Sequence, residues 1–126
     1  MTRQAIQTSS APAALGPYSQ AIASGDLVFC SGQLGLDPIS GELASGVEAQ
    51  AERSLRNLEA VLDSAGLALG DVVKTTIFLV DVNDFAAVNA VYGRFVTDPP
   101  PARSTVGVAA LPKGGLVEIE MIARRG

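Results

Sequence analysis

The sequence contains no histidine, no tryptophan and only one cysteine, Cys30, among its 126 residues. These absences exclude a Ser-His-Asp triad, a Cys-His pair and a zinc site built from cysteine and histidine. An internal disulfide is excluded as well, because it needs two cysteines. Cys30 lies in the apolar run 27–30, which indicates a small buried side chain rather than a reactive thiol.

Charged residues are also scarce, at 17% of the chain against 48% for hydrophobic residues, and this balance argues against disorder. The nine basic residues form no cluster beyond Arg124 and Arg125, and the net charge is −4, so nucleic acid is a poor candidate partner. No apolar run approaches the ~20 residues that cross a bilayer, and residues 1–16 lack the apolar core of a signal peptide. The sequence therefore predicts a cytoplasmic protein without a membrane partner.

The hydrophobic pattern predicts one domain, 1–126, in which strands come first, followed by a helix, a strand, a second helix and two more strands. Apolar residues spaced by three or four predict helices over 47–65, ended by Gly66, and over 84–96, capped by Asp81 or Asn83. Alternation predicts strands at 4–8, 18–23, 27–33, 72–80, 104–108 and 116–123. The last two are expected to be antiparallel strands joined by a short loop.

These elements predict an α+β sandwich in which two helices pack on one face of a mixed, mostly antiparallel sheet of about six strands. The strand at 72–80 is apolar on both faces, with Val73 and Ile77 on one and Phe78 and Val80 on the other. Such a strand needs cover on both sides. Because two helices can cover only one side of a small sheet, the other side needs a partner chain, which predicts an oligomer.

The C-terminal strands carry the best candidates for a small-carboxylate site. Arg103 follows three prolines that fix φ and stiffen its approach, and a guanidinium binds carboxylates through paired hydrogen bonds. Glu118 and Glu120 share one face of the last strand and could do proton chemistry beside the ligand. Judged from the residues alone, Arg103 could also be an ordinary surface or ion-paired arginine. The strand face with Glu118 and Glu120 could also be a solvated edge.

Five blocks of sequence stand out in order along the chain: GPYSQA at 16–21, SGQ at 31–33, DVVKTT at 71–76, DFAAVNAVY at 84–92 and PARSTVGVAALPKGGLVEIEMIA at 101–123. Taken in this order, they resemble the reactive intermediate deaminase family (Rid, YjgF type). One block alone is weak evidence, but the ordered set covers nearly the whole chain. The resemblance implies a RidA/chorismate-mutase-like fold and a homotrimer with three clefts between subunits. It also implies that no metal and no cofactor take part.

The activity that the resemblance implies is hydrolysis of reactive enamines and imines. In that reaction 2-iminobutanoate or 2-iminopropanoate and water give the 2-oxo acid and ammonia. By the motif match, Arg103 would hold the substrate carboxylate, and Glu118 would position and activate the attacking water. Glu120 matches a position that we expect to be structural.

The same match implies four further substrate contacts. Tyr18, otherwise a strand-end aromatic, would line the pocket, and Gly32, otherwise a bulge, would let the backbone approach the ligand. Asn89 would reach a site on the neighbouring subunit. Thr105 stands where many relatives carry cysteine, so a mechanism that needs that thiol is excluded, while a hydroxyl and a backbone amide stay available.

Two other functions remain open at this point. A non-enzymatic ligand-binding or interaction protein of the same trimeric fold is the main alternative, because a fold alone does not confer activity. The presence of Arg103 favours the enzyme. Ribonuclease activity, claimed for some relatives, is disfavoured because the chain is acidic.

Overall fold

The computed structural model describes residues 2–126. Within them, six strands and two α-helices follow one another along the chain. In order they are β1 (Gln4–Ile6), β2 (Ala21–Ser24), β3 (Leu27–Leu34), α1 (Val47–Ser64), β4 (Val72–Leu79), α2 (Phe85–Gly93), β5 (Ala102–Gly107) and β6 (Val117–Arg124). Both helices are found close to the predicted positions.

The six strands form one sheet in the order β1-β2-β3-β6-β4-β5. All neighbours are antiparallel except β4 and β5, which are parallel. Helix α1 packs on β3 and β6, and α2 packs against α1 on the same side of the sheet. The predicted α+β sandwich with two helices on a mixed, mostly antiparallel six-stranded sheet is therefore confirmed.

The expectation that the last two strands pair with each other is wrong. β6 lies between β3 and β4, and β5 pairs with the outer edge of β4. The two strands do run in opposite directions, but β4 separates them. Helix α2 supplies the crossover that a parallel β4–β5 pair requires, and the connection 108–116 is long enough to pass over the end of β4.

The core lies between the helices and one face of the sheet. Alternate residues of β6 are buried there, as predicted, against the apolar stripe of α1; they are Val117, Ile119, Met121 and Ala123. Cys30 is buried too, and burial raises the pKa of its thiol to about 12, which agrees with an inert side chain.

The ends of the helices follow the predicted signals with one difference. Gly66, at φ 77°, ends α1, and the amide of Leu67 donates to the carbonyl of Leu62, which is a Schellman ending. The Asp81 carboxylate accepts from the amide of Asn83 before α2. Helix α2 stops at Gly93 rather than at residue 96, because its last turn tightens into bonds between residues three apart, such as that from Phe95 to Tyr92.

The sheet face away from the helices is only partly covered by the chain itself. Large apolar side chains lie on it, including Leu27, Phe29 and Val106, which are each 36–41% exposed. One detail of β4 differs from prediction: Val72 is buried and Val73 is exposed. A shift in pairing register between Val72 and Lys74 moves Val73 off the core face.

In residues 2–126 no helix combines the length and the apolar character that a bilayer span requires. The same residues contain no group of three or more cysteine, aspartate or glutamate side chains placed to hold a metal ion.

Candidate active site

Arg103 lies on the helix side of the sheet, on the edge strand β5. It pairs in register with Thr75 of β4, whose side chain faces the helices. Its guanidinium Nη1 donates to Oδ1 of Asn89 at 2.7 Å and lies over the rings of Tyr92, at 5.1 Å, and Phe85, at 5.6 Å. Two aromatic faces and an amide therefore orient the cation.

Helix α2 supplies this support because its spacing aligns the three side chains. Phe85, Asn89 and Tyr92 are four and three residues apart, which places them on one helix face. Tyr92 is 4% exposed, and its hydroxyl donates to Oγ1 of Thr75 at 2.9 Å, so the ring is fixed beneath the guanidinium. From the sequence, Phe85 and Tyr92 were placed only in the second helix and the block 84–92, although their spacing with Asn89 was a usable signal.

Thr105 points to the same side of β5 as Arg103, two residues further along. Its Oγ1 is buried and has no hydrogen-bond partner within residues 2–126. A buried polar group without a partner costs about 1–3 kcal/mol, so a ligand or a second chain that reaches this hydroxyl would recover that energy. We call the group Phe85, Asn89, Tyr92, Arg103 and Thr105 the arginine half-site.

Glu118 lies on the opposite face of the sheet, because its neighbours Val117 and Ile119 on β6 point into the core. It packs directly against Gly32, where an added Cβ would lie 2.9 Å from Cδ of Glu118. Gly32 also sits in the register shift of β3 between Cys30 and Gln33. The glycine is therefore both a bulge and a close approach, and its close neighbour is the Glu118 side chain.

The environment of Glu118 favours a proton acceptor. The side chain is half-buried, and this burial raises the pKa of its carboxyl above the ordinary value. The negative charge of Glu120 on the same strand face raises the pKa further. A general base works best when its pKa approaches the working pH, so both effects suit Glu118 to activating water.

A cavity of ≈ 440 Å³ lies beside Glu118 and Gly32, and Tyr18 also lines it. Tyr18 is 54% exposed and so is free to contact a ligand. We call Tyr18, Gly32, Glu118 and this cavity the glutamate half-site.

Gln20 also lines this cavity, and no role was predicted for it from the sequence. It is 3% exposed, and its Oε1 accepts from the amide of Thr8 at 2.7 Å. Its Nε2 donates to the carbonyls of Thr8, Ala11 and Pro12 at 3.1, 3.3 and 2.7 Å. One buried amide therefore fixes the loop that forms the cavity wall. A glutamine at the start of a buried strand was the available signal.

The two half-sites do not meet within one chain. Arg103 faces the helices from β5, whereas Glu118 faces away from them on β6, and β4 lies between these strands. The expectation that Arg103 lies near the carboxylates of its own β6 is therefore wrong. Asn89 bonds to Arg103 of its own chain, so any site that it reaches on a neighbour would also receive Arg103.

Comparison with known proteins gives a consistent result. Residues 8–125 match the family model described as endoribonuclease L-PSP. The chain is 55% identical to protein DfrA of Myxococcus xanthus, over 98% of this chain and 96% of the relative. It is 52% identical to the 2-iminobutanoate/2-iminopropanoate deaminase of Salmonella typhimurium, over 95% and 96%. The crystal structure of Escherichia coli TdcF with bound serine superposes with a TM-score of 0.93 at 45% identity, covering 98% of this chain and 99% of that one.

Proposed function

Because this chain belongs to the endoribonuclease L-PSP (YjgF/RidA) family, we propose that it hydrolyses 2-iminobutanoate and 2-iminopropanoate to 2-oxo acids and ammonia. Relatives of 50–52% identity are named for this activity. The observation in this chain that carries the proposal is the oriented guanidinium of Arg103, which has the right shape and charge for a substrate carboxylate. The alternative of a ligand-binding protein without activity is not favoured.

The reacting site in this proposal is a cleft between two copies of the chain. One copy contributes the arginine half-site and the next contributes the glutamate half-site, because a single chain holds them on opposite faces of its sheet. A contact between unlike surfaces closes into a ring when copies are related by rotation. Three copies would give three identical clefts, in agreement with the homotrimer that the sequence resemblance implies.

Exposed apolar surface supports this assembly. Phe85 of the arginine half-site is 44% exposed, and Val82, three residues before it in the chain, is 62% exposed. The uncovered sheet face adds Phe29 and Val106, and apolar patches of this kind mark interaction surfaces.

The chemistry then follows from the charges. The substrate carboxylate binds the Arg103 guanidinium, and the Thr105 hydroxyl gains a partner. Glu118 takes a proton from water as the water oxygen bonds to the imine carbon and the electron pair of the C=N bond moves to nitrogen, and Glu118 then gives that proton to the nitrogen. When the C=O bond forms, Glu118 carries the hydroxyl proton to nitrogen and the C–N bond breaks. The products are the 2-oxo acid and ammonia, and Glu118 is again ionised.

A coupled assay tests the proposal. A dehydratase that makes the imine from threonine or serine is combined with semicarbazide, which traps the imine, and this protein is added in catalytic amounts. We expect less trapped product and faster ammonia release. Arg103→Ala should lose at least tenfold in rate, about 1.4 kcal/mol of transition-state stabilisation.

The matched control is Arg94→Ala, which removes a surface arginine paired with Glu52. Its rate should equal that of the unchanged protein. Full activity in Arg103→Ala, with the assembly intact by light scattering, would contradict the assignment of the site. Cytoplasmic location stays a prediction from the sequence.

A further inference from the structure

Two large apolar side chains at the cavity of the glutamate half-site are mostly exposed. Ile39 is 95% exposed and Leu15 is 75% exposed, and both line the cavity that contains Glu118. Single exposed apolar residues are ordinary on protein surfaces. Here two such residues lie on separate loops and line one cavity, which Tyr18, 54% exposed, also lines. A group of exposed apolar residues around one cavity indicates a ligand-binding site.

The position of Ile39 is fixed by its turn. Oδ1 of Asp37 accepts from the amides of Ile39, at 2.8 Å, and Ser40, at 2.9 Å. Two backbone hydrogen bonds of 2.9 Å close the same turn. The amide of Gly41 donates to the carbonyl of Asp37, and the amide of Asp37 donates to the carbonyl of Glu42. An aspartate that bonds to the following amides stabilises a turn locally, so the exposed isoleucine is presented by a hydrogen-bonded frame.

The charges around the cavity bear on which ligand side chain it takes. Asp37, Lys113 and Glu118 are the charged residues that line it. Two of these three are negative, so an acidic side chain would meet net repulsion. Leu36 and Pro38 extend the apolar lining next to Ile39. A volume of ≈ 440 Å³ falls within the range of about 300–1,000 Å³ for small-molecule sites.

We infer that Leu15 and Ile39 are specificity-determining residues, which cover the apolar side chain of the 2-imino acid while its carboxylate binds Arg103 of the neighbouring copy. This inference rests on the proposed function. Its consequence is a preference for imines with branched or longer apolar side chains over 2-iminopropanoate. The side chain contributes through desolvation, and the gain grows with the apolar area that is covered.

The test compares imines formed in place by an L-amino-acid oxidase from alanine, leucine and glutamate, with ammonia release and trapped imine as readouts. We expect the kcat/KM of the unchanged protein for the leucine imine to exceed that for the alanine imine. Ile39→Asp and Leu15→Ser should each lower the leucine-to-alanine ratio by about tenfold or more, the discrimination that apolar pockets achieve. Val73→Thr, which changes an exposed apolar residue outside the cavity, should leave the ratio unchanged.

Each outcome decides the inference. A ratio that stays constant in both cavity variants would overturn it while leaving the deaminase intact. A preference of the unchanged protein for the glutamate imine would overturn it in favour of binding by Lys113. Dissociation of the assembly in both cavity variants, by light scattering, would assign Leu15 and Ile39 to the contact between copies instead. Failure of the unchanged protein on every imine would remove the proposed function itself, and the inference with it.

Discussion

At the scale of single residues, Glu118 is the proposed proton acceptor, and the charge of Glu120 on the same strand changes its pKa. Burial and the charge of Glu120 raise the pKa of Glu118, which favours the protonated, inactive form. Activity is therefore lost as the pH falls through the raised pKa, so the acid limb of the pH profile lies above the ordinary range of a glutamate.

Removing the neighbouring charge should move this limb. Glu120→Gln keeps the shape of the side chain but removes the second cause of the shift, so the acid limb of kcat/KM should move to lower pH. The profile is measured from pH 4 to 8 with one imine substrate. A limb at the same pH in both proteins would mean that another group controls the activity.

Tyr92 and Thr75 form the buried hydrogen bond that fixes the ring beneath Arg103. Tyr92→Phe leaves the fully buried Thr75 hydroxyl without this partner, and should lower the free energy of unfolding by about 1–3 kcal/mol. The double variant Tyr92→Phe with Thr75→Val removes both partners and should cost less than the sum of the single changes. Urea unfolding of the four proteins measures the difference. Simple additivity would contradict a coupled pair.

Among the elements, the loop that leads to Tyr18 depends on one side chain. Gln20 bonds to four backbone groups of the segment 8–12. Gln20→Ala leaves these groups without their partner, so the segment should open locally. We expect much faster hydrogen exchange at the amide of Thr8, whereas the amides of α1 keep their protection. Unchanged exchange at Thr8 would show that the loop is held by other contacts.

The sequence predicts an element well when a local pattern decides it. The stripe of α1, its end at Gly66 and the buried face of β6 follow from local period and glycine chemistry. The predicted pairing of β5 with β6 was wrong because strand pairing is set by long-range topology, here the crossover through α2. Val73 was assigned to the wrong face because alternation along the strand does not show a register shift, here between Val72 and Lys74.

The candidate site shows the same limit. Motif resemblance selected Arg103 and Glu118, but alternation along a strand could not tell that these residues face opposite sides of the sheet. The hydrogen bonds of Tyr92, Thr75 and Gln20 were not predicted because they join residues that are 8 to 17 positions apart in the chain. The extent of one domain over residues 1–126 stays a prediction.

At the scale of the whole molecule, the central claim is that each cleft takes its arginine and its glutamate from different copies. Arg103→Ala and Glu118→Gln each remove one half-site and leave the other. If the claim holds, a mixed assembly contains some clefts in which an intact arginine half-site meets an intact glutamate half-site. Random mixing of equal amounts would give about a quarter of all clefts in this form.

The most direct measurement is therefore activity after the two variants are unfolded together and refolded as mixed assemblies. Each variant refolded alone should be nearly inactive, and the mixture should recover about a quarter of the activity of the unchanged protein, as the random pairing of half-sites in a ring implies. A mixture that forms mixed assemblies, by native mass spectrometry, yet stays as inactive as its parents would contradict a cleft shared between copies.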